Sequence, residues 1–252
     1  SGLMAVFAIA GGLWMVPACD KASALTTPTA LDCSFPIVTG DPHLSTPPRC
    51  VMFAGHPWLV KARARAGAGT NAWSDSADNV WVDASGLHLA LTQRSGQWFA
   101  AEVTLNDSLG YGRYSFRTST RLDQLDGNAV AGLFTYHYAD PSYVHREIDI
   151  EFAARLGSTP GATGHFAVQP YTAPLHTRDF VVTASTDTWH HIEWRPQRVT
   201  FTSGSTTFTY AGADVPPPGG ENVRMNLWLY DGERPATASG LAVTVSDFRF
   251  ER

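Results

Sequence analysis

Glu147-Ile148-Asp149-Ile150-Glu151-Phe152 alternates acid and apolar residue without a break. A period of two is the spacing of a β-strand, whose successive side chains leave on opposite faces. Ile148, Ile150 and Phe152 therefore point to one side, as a strand on a hydrophobic core requires. Glu147, Asp149 and Glu151 point together to the other. Three like charges on one face repel, and no Lys or Arg is interleaved to relieve them. Such a local conflict is tolerated mostly where a function needs it. A solvated strand face and a cation site of stacked carboxylates are the competing readings.

The sequence around this strand has the same character. Asn79–Val82 and Leu87–Thr92 flank the turn Asp83-Ala84-Ser85-Gly86, a hairpin signature. Strands are predicted at Trp98–Leu105, Gly112–Thr118, Ala131–Tyr138, Arg146–Phe152 and Phe166–Tyr171. Further ones fall at Phe180–Thr183, Trp189–Trp194, Val199–Thr202, Thr206–Tyr210, Val223–Tyr230 and Leu241–Glu251. No stretch among them sustains an amphipathic helix. About a dozen short strands in ~200 residues predict an all-β fold of two packed sheets. Composition agrees: charged residues are 16% of the 252, with 22 Gly, 16 Pro and 8 Trp. The net charge of −5 and the lack of a Lys/Arg run argue against a nucleic-acid partner.

The N-terminal fifth reads differently. Leu3–Val16 is an apolar run the length of a signal-peptide core, shorter than the ~20 residues of a membrane-spanning helix. Residues 1–19 are therefore a signal-like leader. Val16-Pro17-Ala18-Cys19 resembles a bacterial lipobox, apart from Pro17. Two readings stay open, cleavage near Ala18 or a lipid anchor at Cys19, and both place the protein outside the cytoplasm. Residues 20–50, rich in Thr, Pro, Ala and Ser, read as a linker, and 51–252 as one domain. With Cys19 set aside, Cys33 and Cys50 remain as a pair, and a disulfide between them would close a short loop. No CxxC motif suggests structural zinc.

Two carboxyls are what cleavage of a glycosidic bond needs: one to attack or activate water, one to protonate the leaving oxygen. Strand spacing allows the ~5–5.5 Å separation of a retaining enzyme and the ~6.5–9.5 Å of an inverting one, and does not choose. Asp149, shorter and between the two, could bond to one Glu and drive their pKa values apart.

Glu-Ile-Asp-Ile-Glu resembles the active-site signature of glycoside hydrolase family 16, the laminarinase and lichenase group, in its uninterrupted lichenase-like form. The likeness extends along the chain. Ala101-Glu102-Val103, Leu109–Tyr114 with Arg117, Gly132–Tyr136, Trp189-His190 through Trp194-Arg195-Pro196, and Met225–Trp228 each resemble a family strand, in order. The resemblance implies a jelly-roll sandwich of the concanavalin A-like type with a concave cleft. It also implies retaining, endo-acting hydrolysis of a β-linked glucan or related polysaccharide. Carried over by position, Glu147 is the nucleophile, Glu151 the acid/base, and Asp149 the residue that holds Glu147. Glu102, Tyr136, Gln169, Tyr171, Asn226 and Trp228 fall at sugar-contacting positions, and His145 reads as a residue of the cleft wall. Aromatic faces suit the apolar faces of sugar rings.

Three positions depart from the pattern. His145-Arg146 stands where the family has Trp before the first Glu, Thr104 where lichenases have Arg, and Gln169-Pro170 where Asn is usual. These leave the catalytic trio intact and the choice of glycan open. No cofactor is expected; family members often hold a structural calcium, but no Asp-rich loop identifies one. The expected assembly is a monomer, and the expected partner a polysaccharide. A transglycosylase on the same site and a non-catalytic lectin-like module are the alternatives. A serine hydrolase is disfavoured because GxSxG is absent.

Overall fold

The computed structural model describes residues 35–252. The apolar run, Cys19 and Cys33 lie outside them. Cys50 is disulfide-bonded; Cys33, its expected partner, falls outside the described residues.

Nineteen strands follow one another among the described residues. In chain order they begin with β1 (Cys50–Phe53), β2 (His56–Val60), β3 (Arg63–Ala66), β4 (Asn71–Trp73), β5 (Val80–Asp83) and β6 (Gly86–Ala90). Next come β7 (Thr92–Arg94), β8 (Gln97–Phe99), β9 (Ala101–Leu105), β10 (Gly112–Thr118), β11 (Ala129–Tyr136) and β12 (Ile148–Phe152). The chain continues with β13 (Gly164–Val168), β14 (Thr177–Phe180), β15 (Thr188–Arg195) and β16 (Arg198–Ser203). It ends with β17 (Thr206–Ala211), β18 (Asn222–Leu229) and β19 (Ala242–Glu251).

Two large antiparallel sheets result. One has eight strands in the order β1-β2-β9-β18-β11-β12-β13-β14, the other seven in the order β17-β16-β15-β10-β19-β6-β5. β3-β4 and β7-β8 form small hairpins beside them. The alternation read from the sequence is what closes the sandwich. Ile148, Ile150 and Phe152 are buried between the sheets with Phe166, Val168, Met225 and Leu227. Phe166 stacks on Phe201 of the opposite sheet at 5.2 Å, and Trp58 meets Phe248 edge-on at the same separation. Each such side chain stabilises the fold by roughly 1.5–3 kcal/mol.

Four expectations change. The strand expected at Phe180–Thr183 lies one step earlier, at Thr177–Phe180. Trp98–Leu105 is divided between β8 and β9 rather than forming one strand. The strand expected from Arg146 begins at Ile148, because the four residues before Glu147 are wound left-handed, as described below. The segment read as linker to residue 50 packs on the sandwich from about Pro36. Val38 N donates to Asn106 Oδ1, Thr39 Oγ1 to Asn222 Oδ1, and the Asp41 side chain is fully buried against Arg224. Composition marked that segment as irregular; its described part, residues 36–49, is held against the sandwich.

Candidate active site

The register of the eight-stranded sheet lays side chains out in rows across its concave face. Lys61, after β2, lies opposite Glu102, and Glu102 pairs with Asn226. The row continues through Gly132, Glu151, His165 and Asp179. A second row reads Thr104, Arg224, Phe134, Asp149, Ala167, Thr177. A third holds Asn222, Tyr136, Glu147 and Gln169. The trio on β12 thus sits mid-sheet, with polar and aromatic side chains on both sides. Gly132 keeps the centre open: a Cβ there would stand 2.6 Å from Asn226 Oδ1.

The result is a cleft with two limbs. One, of about 360 Å³, is lined by Glu102, Phe134, Tyr136, Tyr138, Asn226 and Trp228 together with all three acids. The other, of about 700 Å³, runs over β13 and β14 past Arg155, His165, Gln169, Tyr171, Asp179 and Tyr230. Glu147, Glu151 and Trp228 line both limbs.

The backbone entering Glu147 is unusual. Tyr143, Val144, His145 and Arg146 have φ of 54°, 49°, 62° and 55°. This is a left-handed turn without glycine, and it costs about 1–2 kcal/mol per residue. Bonds hold it in place: Thr135 Oγ1 donates to Arg146 O at 2.8 Å, His137 N to His145 O at 2.8 Å, and Arg146 pairs with Asp140. Backbone strain of this kind persists where neighbours over-determine it, commonly beside active sites. The turn sets the direction from which Glu147 enters the cleft.

Burial raises the pKa of all three acids. Glu147 is lifted to about 8, first by desolvation, then by the charges of Glu151 and Glu102, with Arg224 pulling the other way. Desolvation lifts Glu151 to about 7. Asp149 is held well above the usual carboxylate range by desolvation and by both glutamates. Its Oδ2 accepts from Gln169 Nε2 at 3.1 Å. A site with protons on recessed carboxyls near neutrality can donate one to a leaving oxygen. Ionising the attacking carboxylate is the harder task here.

Below the first limb lies a buried ionic network. Lys61 Nζ donates to Glu102 Oε2 at 3.1 Å, to Gly67 O and to Tyr138 Oη. Arg224 Nη1 reaches Glu102 Oε1 at 3.0 Å, Asp41 Oδ2 at 2.7 Å and Thr104 Oγ1 at 2.8 Å. Asn226 Nδ2 donates to Glu102 Oε2 at 3.3 Å, leaving its Oδ1 buried and without a partner.

Of the residues singled out from sequence, Glu102, Tyr136, Asn226 and Trp228 line the first limb, and Gln169, Tyr171 and Trp228 the second. His145 lines neither; it stacks on Tyr136 from behind at 4.7 Å and 11°. Tyr138 and Arg224 were missed, although each stands two residues from a chosen position on the same strand line. His165 and Asp179 were missed as well. His165 Nδ1 lies 2.6 Å from Asp179 Oδ1, and Asp179 also caps Ser158 N and Thr159 N. Among the described residues no cluster of His, Cys, Asp or Glu could hold a metal ion.

Comparison with known proteins bears on the fold and the signature together. No curated protein matches the sequence. Solved structures do match in fold. A Bacillus licheniformis β-glucanase shares 19% identity at a TM-score of 0.61, over 77% of this chain and 92% of that one. A prokaryotic β-1,3-1,4-glucanase (lichenase) from a mouse hindgut metagenome shares 20% at 0.56, over 77% and 92%. A Flavobacterium laminarinase shares 12% at 0.57, over 72% and 84%. The profile "Glycosyl hydrolases family 16" matches residues 68–246, a span that holds both sheets' central strands and every acid of the trio. A jelly-roll sandwich with that signature at mid-cleft, matched over most of its length, makes this chain a member of glycosyl hydrolase family 16.

Proposed function

We propose that the protein is an extracytoplasmic, endo-acting, retaining hydrolase of a β-linked glucan. The observation that carries the reading is the placement of Glu147 and Glu151 on one strand face, where the two limbs of the cleft meet. A polysaccharide can lie across the strands with sugar units in both limbs, which suits cleavage within a chain. Trp228 and Tyr136 offer ring faces, and Glu102 and Asn226 offer polar atoms, to the sugars of the first limb.

In this mechanism a carboxylate oxygen of Glu147 attacks the anomeric carbon as the bond to the leaving oxygen breaks. Glu151 gives its proton to that oxygen. A covalent glycosyl–Glu147 ester results. Glu151, now ionised, takes a proton from water, whose oxygen attacks the same carbon and frees Glu147. Two inversions restore the starting anomeric configuration. Asp149, protonated and bound to Gln169, adds no charge beside Glu147 and so keeps ionisation of the nucleophile within reach. The disulfide at Cys50 and the apolar leader support export to an oxidising compartment.

The test is release of oligosaccharides from β-1,3-, β-1,4- and mixed-linkage glucans, with agarose, carrageenan and xyloglucan as comparators. The first product's anomeric proton is followed by NMR. Release from a glucan with retention is expected, and Glu147→Gln abolishes it. Binding without release identifies a lectin-like module, longer products a transglycosylase, and an inverted first product rules out the covalent route.

A further inference from the structure

The Arg224 guanidinium is almost fully buried, at 1% side-chain exposure, and only Nη1 is bonded. Nε and Nη2 are buried and have no partner. A buried arginine kept for stability alone ordinarily spends its whole donor fork. This one does not. Its charge lies 4.6 Å from the Tyr138 ring and 5.8 Å from the Tyr136 ring, the two tyrosines that wall the first limb. Tyr136 and Glu147 line that limb together.

The anion behind Arg224 comes from outside the sheet. Asp41 lies on the segment ahead of β1, which is tied down by the bonds of Val38 and Thr39 and by Asn106 Nδ2 to Pro36 O. Asp41 Oδ2 meets Arg224, and Oδ1 accepts from His43 N at 2.9 Å. The His43 ring packs edge-on against Tyr138 at 4.5 Å. One short segment therefore neutralises the arginine and braces a cleft tyrosine.

We propose that Asp41 and Arg224 are a positioning pair for the catalytic centre, in which the N-terminal segment sets how much positive charge reaches the nucleophile Glu147. This rests on the reading of Glu147 given above. The groups around Glu147 are Asp149 and Glu151 on its own strand, Glu102 from β9, and Gln169 and Tyr171 after β13, with Arg224 of β18 buried in the row of Phe134 and Asp149. Tyr136 ends β11, with Tyr138 just beyond it, His145 precedes Glu147, and Lys61, Asp41 and His43 stand farther back. Lys61 and Arg224 both bond to Glu102. Arg224, which also lies against the two cleft tyrosines, is the cation that favours ionised Glu147. Asp41 offsets part of that charge.

The sign of the test follows. Asp41→Asn removes a negative charge while keeping the side chain's shape. More of the Arg224 field then acts on Glu147, and the acid limb of the kcat/KM profile on glucan moves down by roughly half a unit to one unit. Arg224→Gln moves the same limb up. Asp41→Glu keeps the charge and leaves the limb in place. Thr39→Ala loosens the segment's anchor without touching charge and also leaves it in place. Circular dichroism accompanies each profile. Should Asp41→Asn fail to fold, Arg224→Gln and Asp41→Glu decide the matter. An unmoved limb in a folded Asp41→Asn or Arg224→Gln protein, or a limb moved equally by Thr39→Ala, overturns the proposal. Wild-type protein that releases no sugar from any glucan instead removes the hydrolase reading on which it stands.

Discussion

Replacing Glu147 with Gln is expected to abolish turnover and to stabilise the protein in the same stroke. The folded protein holds this carboxyl near 8 against an ordinary value of 4.5. A folded-state pKa above the unfolded one means that folding is opposed wherever the unfolded chain would already have lost the proton. The penalty is absent below about pH 4.5, grows as pH rises, and levels off above 8. At pH 7 the interval from 4.5 corresponds to roughly 3 kcal/mol at 1.36 kcal/mol per pH unit. Three acids share the burden and relax together, so about 2 kcal/mol is the figure to test. A neutral amide of the same shape escapes it. For a domain of this size that gain raises Tm by roughly 4–8 °C at pH 7. Thermal melts of wild type and variant at half-unit steps from pH 4 to 9 give the curve. The two should coincide near pH 4 and diverge upward. A variant equal to or less stable than wild type at pH 7–8 refutes the argument that the trio is held at a cost in stability.

Glu151→Gln is expected to lose most activity on natural glucans and to spare more on aryl glycosides, whose leaving groups need little protonation; equal losses would reassign the acid. The wild-type profile of kcat/KM against pH should be bell-shaped, its two limbs belonging to the coupled carboxyls together, since Glu147 near 8 and Glu151 near 7 lie too close for each limb to report one residue. A profile flat from pH 5 to 9 contradicts the coupling of the trio. Gly132→Ala should close the centre of the cleft by pressing Cβ on Asn226 Oδ1; a rise in KM and a loss of ~1–3 kcal/mol in stability check it. Truncation to Val51, harmless if the segment before it were a linker, should instead lower Tm by roughly 6 °C or more, because Arg224 loses its buried partner.

The part of the site that was legible in the sequence is the part written in alternation. Glu147, Asp149 and Glu151 share a face because a strand has period two, and the same rule buries Ile148, Ile150 and Phe152. Extended by two residues along their strands, that rule also leads from Tyr136 to Tyr138 and from Asn226 to Arg224. What alternation cannot supply is register between strands far apart in sequence. Nothing local says that His165 stands opposite Glu151, or that Lys61 stands opposite Glu102. Asp41 was hidden for a further reason. A Pro- and Thr-rich stretch looks the same whether it is solvated or clamped by a few side-chain bonds, and here Asn106 and Asn222 do the clamping. The left-handed turn before Glu147 was equally silent, since Tyr-Val-His-Arg carries none of the glycine or asparagine that such a backbone favours.

Thr104 shows how register can preserve a charge that sequence position loses. The resemblance leads one to expect an arginine there, two residues after Glu102, and its absence looks like a weakened cleft. In the sheet, Thr104 lies directly opposite Arg224. Side chains so paired leave the backbone ~4.5–5.5 Å apart, well within the reach of an arginine. Arg224 Nη1 bonds to Thr104 Oγ1 and to Glu102 Oε1, so a guanidinium still serves Glu102. It now comes from the neighbouring strand, at greater depth, with Tyr136 and Tyr138 above it and Asp41 behind. Glu102 is shared with a second buried cation, Lys61, so one carboxylate faces two positive charges. The N-terminal segment supplies the second anion, Asp41. The packed segment and the apparent gap at position 104 are then two ends of one arrangement. A Thr104→Arg, Arg224→Met double replacement puts this to measurement. It should keep glucan cleavage while making Asp41→Asn nearly neutral in Tm, whereas the same Asp41→Asn change in wild type costs several degrees. If Asp41→Asn costs the same in both backgrounds, the segment is held by its hydrogen bonds alone and the two features are unconnected.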